Sequence, residues 1–138
     1  MSQSNLSPSS NSENNKEFVL NFVEDAFNKH DMEAVDRYYT LNLIQYNPQV
    51  PQGREGFKQY FGGFFQRFSD SRTTIDYVVA EGDKVFAMMT TTATDKETGK
   101  RVTLKTADLF RIENGMIVEH WDVVDASGMV EDQSISSG

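Results

Sequence analysis

The chain contains no cysteine, so disulfides, thiolate metal sites and a cysteine nucleophile are all excluded. Its fold must stand on packing alone, which suits a cytoplasmic setting. Histidine is scarce at 2 residues, and without thiolates beside it no metal site is expected. No apolar run approaches the ~20 residues of a membrane span. The N-terminus lacks the charged start and apolar stretch of a secretory signal. Basic residues are also short, 13 against 21 acidic ones for a net charge of −8, and they are scattered. Phosphate binding needs a basic stripe, so neither nucleic acid nor membrane is an expected partner.

What is present fits one soluble domain: 138 residues, 38% of them hydrophobic and 25% charged. Phenylalanine is abundant at 10 residues, so the core should be aromatic. Residues 1–15 hold six Ser and four Asn and read as a disordered tail, too polar to offset chain entropy. The segment 127–138 reads likewise, leaving 16–126 as the domain. Val19, Phe22, Val23, Ala26 and Phe27 share one face of a helix starting near Lys16. Asp31 caps a short second helix carrying Met32, Val35, Tyr38 and Tyr39. Leu41 to Asn47 reads as a strand ended by Pro48 and Pro51. A third helix, Arg54 to Arg67, has a Phe57, Tyr60, Phe61, Phe64 and Phe68 stripe, with Gly62 and Gly63 inside it.

After Asp70 the pattern changes to strands over 73–80, 84–94, 101–112 and 116–125. Helices first and then a meander of long strands is an α+β arrangement. A curved sheet over helices would enclose a pocket. In the last strand, alternation puts Val118, His120, Asp122 and Val124 on one face and Ile117, Glu119, Trp121 and Val123 on the other. If the first face points inward, Asp122 loses solvation and its pKa rises, which prepares it for proton transfer.

The hairpin register decides what Asp108 meets. A three-residue Glu113–Gly115 loop pairs Phe110 with Val118 and Asp108 with His120. A two-residue Asn114-Gly115 loop instead sets Asp108 opposite Trp121, on the other face. The first is preferred because it gathers Asp108, His120 and Asp122 in a pocket lined by Phe110 and Val118. On the first strand, Ile44 and Tyr46 share a face. The Tyr46 phenol and the Asn47 amide are candidate donors to a substrate oxygen. Each has a plain structural reading: Asp122 as a backbone-holding acid, His120 as a satisfied strand residue, Tyr46 as core. His30, where the first helix ends, reads as a cap or surface residue.

The run from Phe110 to Asp122, with Ile44 to Pro48 and Gly53 to Phe57, resembles the closing strand pair and first-strand motif of SnoaL-like proteins of the nuclear transport factor 2-like superfamily. The resemblance spans about residues 16 to 126. It implies a cystatin-like cone: a curved mixed sheet over three N-terminal helices, often a homodimer. It also implies cofactor-free chemistry, an intramolecular aldol condensation with an acid of the last strand as acid/base. That acid matches Asp122, with His120 and Asp108 beside it. In the similar limonene epoxide hydrolase the matching Asp activates water. The hydrolase's Arg-x-Asp arrangement is missing here, and Tyr46 stands where the related aldol-condensation subgroup has His. The expectation is a cofactor-independent acid/base enzyme acting on a small apolar carbonyl compound, as a cyclase or isomerase. The alternative is a non-catalytic binding or dimeric assembly module of the same fold.

Overall fold

A computed structural model describes residues 8–128. Helix α1, Pro8–Phe22, continues into a π-helical segment, Val23–Asn28, and a 3-10 turn, Glu33–Arg37. Strand β1, Tyr39–Gln45, and helix α2, Gly53–Arg67, follow. Then come β2, Arg72–Glu81; β3, Lys84–Thr94; β4, Arg101–Glu113; and β5, Met116–Asp125. The sheet order is β1-β5-β4-β3-β2. β1 runs parallel to β5 and the other neighbours are antiparallel. This is the expected α+β cone.

Two expectations about helices are corrected. The first helix starts at Pro8, well ahead of Lys16. Polar composition hid this: Ser12 is buried, and Asn15 Nδ2 donates to the Gly82 carbonyl at 3.2 Å in the β2–β3 turn. Of the expected tails, 1–15 and 127–138, the parts over 1–7 and 129–138 lie outside the described residues. The second helix is only the 3-10 turn, so the described residues hold two α-helices where three were expected. Asp31 Oδ1 accepts the Ala34 N–H at 3.2 Å, and β1 begins two residues after the turn, leaving no room for an α-helix to propagate.

The core lies between the helices and the concave sheet face. Phe22, fully buried, has its ring centroid 4.7 Å from Tyr39, 6.1 Å from Phe57 and 6.1 Å from Phe110. Each such ring is worth about 1.5–3 kcal/mol in burial. α2 is seated by Gly56, where an added Cβ would come within 2.8 Å of the Pro51 Cβ. Gly62 and Gly63 are different, since a Cβ at either meets nothing within 4 Å.

The β4–β5 hairpin takes neither expected register. Glu113 pairs with Met116 across a two-residue Asn114-Gly115 turn, both with positive φ (53° and 77°), as the primed hairpin turns require. The pairing then slips: Ile112 opposes Ile117, but Arg111 opposes Glu119. Val118 is the extra residue of a β-bulge. Beyond it Phe110 faces His120 and Asp108 faces Asp122. The three polar residues share a face, but through the bulge rather than a three-residue loop.

Candidate active site

Beside the core, a pocket of about 800 Å³ opens between α2 and the sheet. α2 supplies Phe57, Tyr60, Phe61, Phe64 and Phe65 to its wall. Gln49, Tyr60 and Val124 on the lining are exposed, so the pocket has an open rim and is not fully enclosed. At its base lie Gln45, Asp108 and His120, all buried, with Asp122 half-buried beside them.

His120 is gripped at both ring nitrogens. Nε2 lies 2.7 Å from Asp108 Oδ2 and Nδ1 lies 2.8 Å from Gln45 Oε1. With both partners accepting, the ring donates from both nitrogens; with the Gln45 amide turned over, Nδ1 accepts instead. In either orientation Nε2–H donates to Asp108. Phe110 stacks on the ring at 4.8 Å. Gln45 is itself clasped by Gln52, whose Oε1 accepts its N–H at 3.0 Å and whose Nε2 donates to its carbonyl at 2.7 Å.

Asp122 is the less committed acid. Asn47 Nδ2 donates to its Oδ2 at 3.3 Å. The Asn47 amide has a fixed sense because its Oδ1 accepts the Gln49 N–H at 2.9 Å in an Asx turn. Burial pushes the Asp122 carboxyl above its ordinary 3.8, and the Asp108 charge adds to this; His120 and the Asn47 bond oppose it. Asp108 Oδ1 and Asp122 Oδ1 are buried without a hydrogen-bond partner. So is the hydroxyl of Tyr39, a fully buried phenol held well above its usual range by desolvation and then by the two carboxylates.

Of the expected site residues, the fold brings Asp108, His120, Asp122 and Asn47 together. It does not bring the others. Tyr46 points to the convex face, where it stacks on Trp121 at 4.6 Å and is 47% exposed. Leu43 and Gln45 take the inner positions of β1, so alternation turns Tyr46 outward. Phe110 is sealed in the core behind His120, off the pocket lining. Val118, displaced by the bulge, is off it too. Gln45 and Tyr39 were missed as site residues: Tyr39 read as helical core, and a glutamine inside a strand gives no local sign of facing inward.

Asp108, His120 and Asp122 can bring one ligand atom each within 4.8 Å of the others. To hold an ion, His120 would have to release Asp108 or Gln45, so the present bonding favours proton chemistry. Among the described residues, no helix is long and apolar enough to cross a membrane.

A curved five-stranded sheet over helices, with a polar cluster at the base of an aromatic pocket, defines a nuclear transport factor 2-like cone. Within that class the chain belongs to the SnoaL-like polyketide cyclase family, whose model matches residues 17–133. No curated protein matches the chain. Among solved structures it is similar to TsrD from Streptomyces laurentii, at 28% identity over 83% of this chain and 90% of that one, with a TM-score of 0.75. AclR from Streptomyces galilaeus shares 23% identity over 89% and 86%, TM-score 0.79. A SnoaL-like polyketide cyclase from Agrobacterium tumefaciens shares 17% over 86% and 97%, TM-score 0.75. The last two speak to the fold alone.

Proposed function

We propose that this protein is a cofactor-independent acid/base enzyme that removes a proton next to the carbonyl of a small apolar compound, leading to aldol closure or isomerisation. The carrying observation is Asp122, a half-buried carboxyl at the base of an aromatic pocket with its pKa raised. A carboxylate whose pKa is raised is a stronger base than an ordinary one. Asp122 takes the proton. The Asp108–His120–Gln45 chain holds the polar floor in place, and the Asn47 amide is positioned beside the acid. Family membership supports a cyclase or isomerase type of enzyme or binder. The test is hydrogen–deuterium exchange at the carbon beside the carbonyl of 2-tetralone in D₂O, followed by NMR. Exchange above buffer is the expected result. None above buffer would favour a pocket protein that only binds, a reading that the outward-facing Tyr46 keeps open.

A homodimer belongs to the same proposal. On the convex face two apolar rows cross the strands: Val79, Phe86, Leu109 and Trp121, then Tyr77, Met88, Ala107 and Val123. Tyr77 and Val123 are 71% and 73% exposed. Lys105 and Asp125 border one side, and Arg111 and Glu119 the other. Ile44 and Tyr46, both exposed, extend the apolar face. An apolar centre with a polar rim fits a second copy of the chain. The cysteine-free composition accords with a cytoplasmic site of action.

A further inference from the structure

The wall of the pocket formed by the start of β2 is built with unusual care for a connection. α1 widens into the π-helical segment Val23–Asn28, a geometry that recurs at functional sites. Asn28, at its end, clamps Thr73 on both sides: its Oδ1 accepts the Thr73 N–H at 2.7 Å and its Nδ2 donates to the Thr73 carbonyl at 3.1 Å. His30 follows in the left-handed region at φ 58°, a conformation a non-glycine residue holds only when its surroundings fix it. Its Nε2 lies 2.9 Å from the Ser71 carbonyl and its ring stacks on Phe65 at 4.0 Å. It is a strut, not the surface or cap residue expected. Both devices fix the segment Ser71–Thr73.

That segment carries hydroxyls. Ser71 is 3% exposed, lies on the pocket lining, and its Oγ has no hydrogen-bond partner. Thr73, also on the lining, shares a 2.7 Å hydroxyl–hydroxyl bond with Thr91 of β3. One member of that pair donates and the other accepts, so the acceptor's own O–H stays free to donate. Ser71 adds another free O–H. The β4–β5 end of the pocket is rich in acceptors, the carboxylates of Asp108 and Asp122. The β2–β3 wall is therefore its complement, rich in donors.

We propose that Ser71 and the Thr73–Thr91 pair form a second subsite that donates hydrogen bonds to a carbonyl or hydroxyl oxygen of the ligand remote from the reacting end. The ligand is then an apolar ring compound with oxygens at two separated positions. One is oriented by the hydroxyl wall, and the carbon beside the other is presented to Asp122. This rests on the Asp122 reading for the reacting end only; the binding prediction stands without turnover. Leaving a buried hydroxyl unpaired in the free protein costs stability, and ligand binding recovers it.

The experiment compares 2-naphthol, with oxygen at one end only, with 2,6-dihydroxynaphthalene by fluorescence or calorimetric titration of the full chain. The native protein should bind the two-ended compound at least about fivefold more tightly, the scale of one added hydrogen bond. Ser71→Ala and Thr73→Val should reduce that preference to below about twofold. Asp122→Asn should retain it, which separates failure of this subsite from failure of the acid/base proposal. Thermal unfolding provides the folding control. Ser71→Ala removes an unpaired hydroxyl and should melt no lower than the native chain, whereas a purely structural serine would lower it. Equal affinities for the two compounds in the native protein would overturn the proposal, as would a preference unchanged in both hydroxyl variants.

Discussion

Asp122→Asn separates the acid's chemistry from its cost to folding, and the two effects run in opposite directions. The substitution is isosteric. Its amide oxygen can still accept from Asn47 Nδ2, which now lies 3.3 Å from Asp122 Oδ2. Its amide nitrogen can donate where the carboxylate could not, and Asp108, its cross-strand partner, has a buried Oδ1 without a hydrogen bond; such a bond is worth about 0.5–1.5 kcal/mol net. The variant should therefore fold and melt a few degrees higher, since 1 kcal/mol moves a domain of this size by roughly 3–5 °C. The gain depends on pH. The folded carboxyl has its pKa raised above 3.8, so in the window just above 3.8 the native state holds a proton that the unfolded chain has released. Native stability then falls as pH rises through that window. Asn has no such loss, so the melting gap should widen from acid towards neutral pH. Exchange of the 2-tetralone proton should fall by about 10²–10⁴, the usual worth of a positioned acid/base group. Native exchange should rise with pH through a value above 3.8. Unchanged exchange would remove Asp122 from the mechanism. A variant that melts lower at neutral pH would refute the buried-acid geometry.

Gln52→Ala removes both bonds that clasp Gln45; exchange should slow about tenfold, for a loss near 1.4 kcal/mol, and the His120 ring ¹⁵N shifts should move while the fold persists. Gly62→Ala should raise stability by up to about 1 kcal/mol in denaturant titration, because a Cβ there meets nothing within 4 Å. Val123→Lys, on a residue 73% exposed, should shift sedimentation towards the monomer with little change in melting of the single chain. Asp95 is held at about 2 by the Arg67 guanidinium, bonded at 2.9 and 2.7 Å. Its folded pKa is lowered, so its stabilisation is present above 3.8 and lost as pH falls through about 2. Asp95→Asn should melt lower at neutral pH, and the deficit should close in strong acid.

Long-period features were readable from the residues. Lys84–Thr94 and Met116–Asp125 fall where β-rich runs between turn signals put them, and α2 begins one residue before the expected Arg54. The misses share a cause: local pattern does not encode pairing. Polar Ser and Asn before Lys16 look like a tail until the β2–β3 turn lies beside them. Ile44 and Tyr46 do share a face, but nothing in β1 says which, because Leu43 and Gln45 compete with them for the interior. The stack of Tyr46 on Trp121 is a cross-strand outcome, invisible to either strand alone. Tyr39 likewise reads as helical because it continues an apolar spacing. Only the sheet turns its phenol towards the carboxylates.

The bulge at Val118 explains how one strand serves two purposes. Ile117 must point inward to close the core, where it is fully buried. His120 and Asp122 must also point inward, to reach the pocket. Strict alternation forbids this, since residues three apart lie on opposite faces. One inserted residue resolves the conflict by stepping the register between Arg111 and Ile112. The sequence after the Asn114-Gly115 turn is thus read in one phase for packing and in the other for chemistry. The bulge thus reconciles two phases that plain alternation could not. Deleting Val118 would place Ile117 and His120 two residues apart, on one face, and preserve the Arg111–Glu119, Phe110–His120 and Asp108–Asp122 pairings. The shortened chain should keep both core and cluster, and loss of the site on this deletion would refute the assignment of Val118 as the inserted residue.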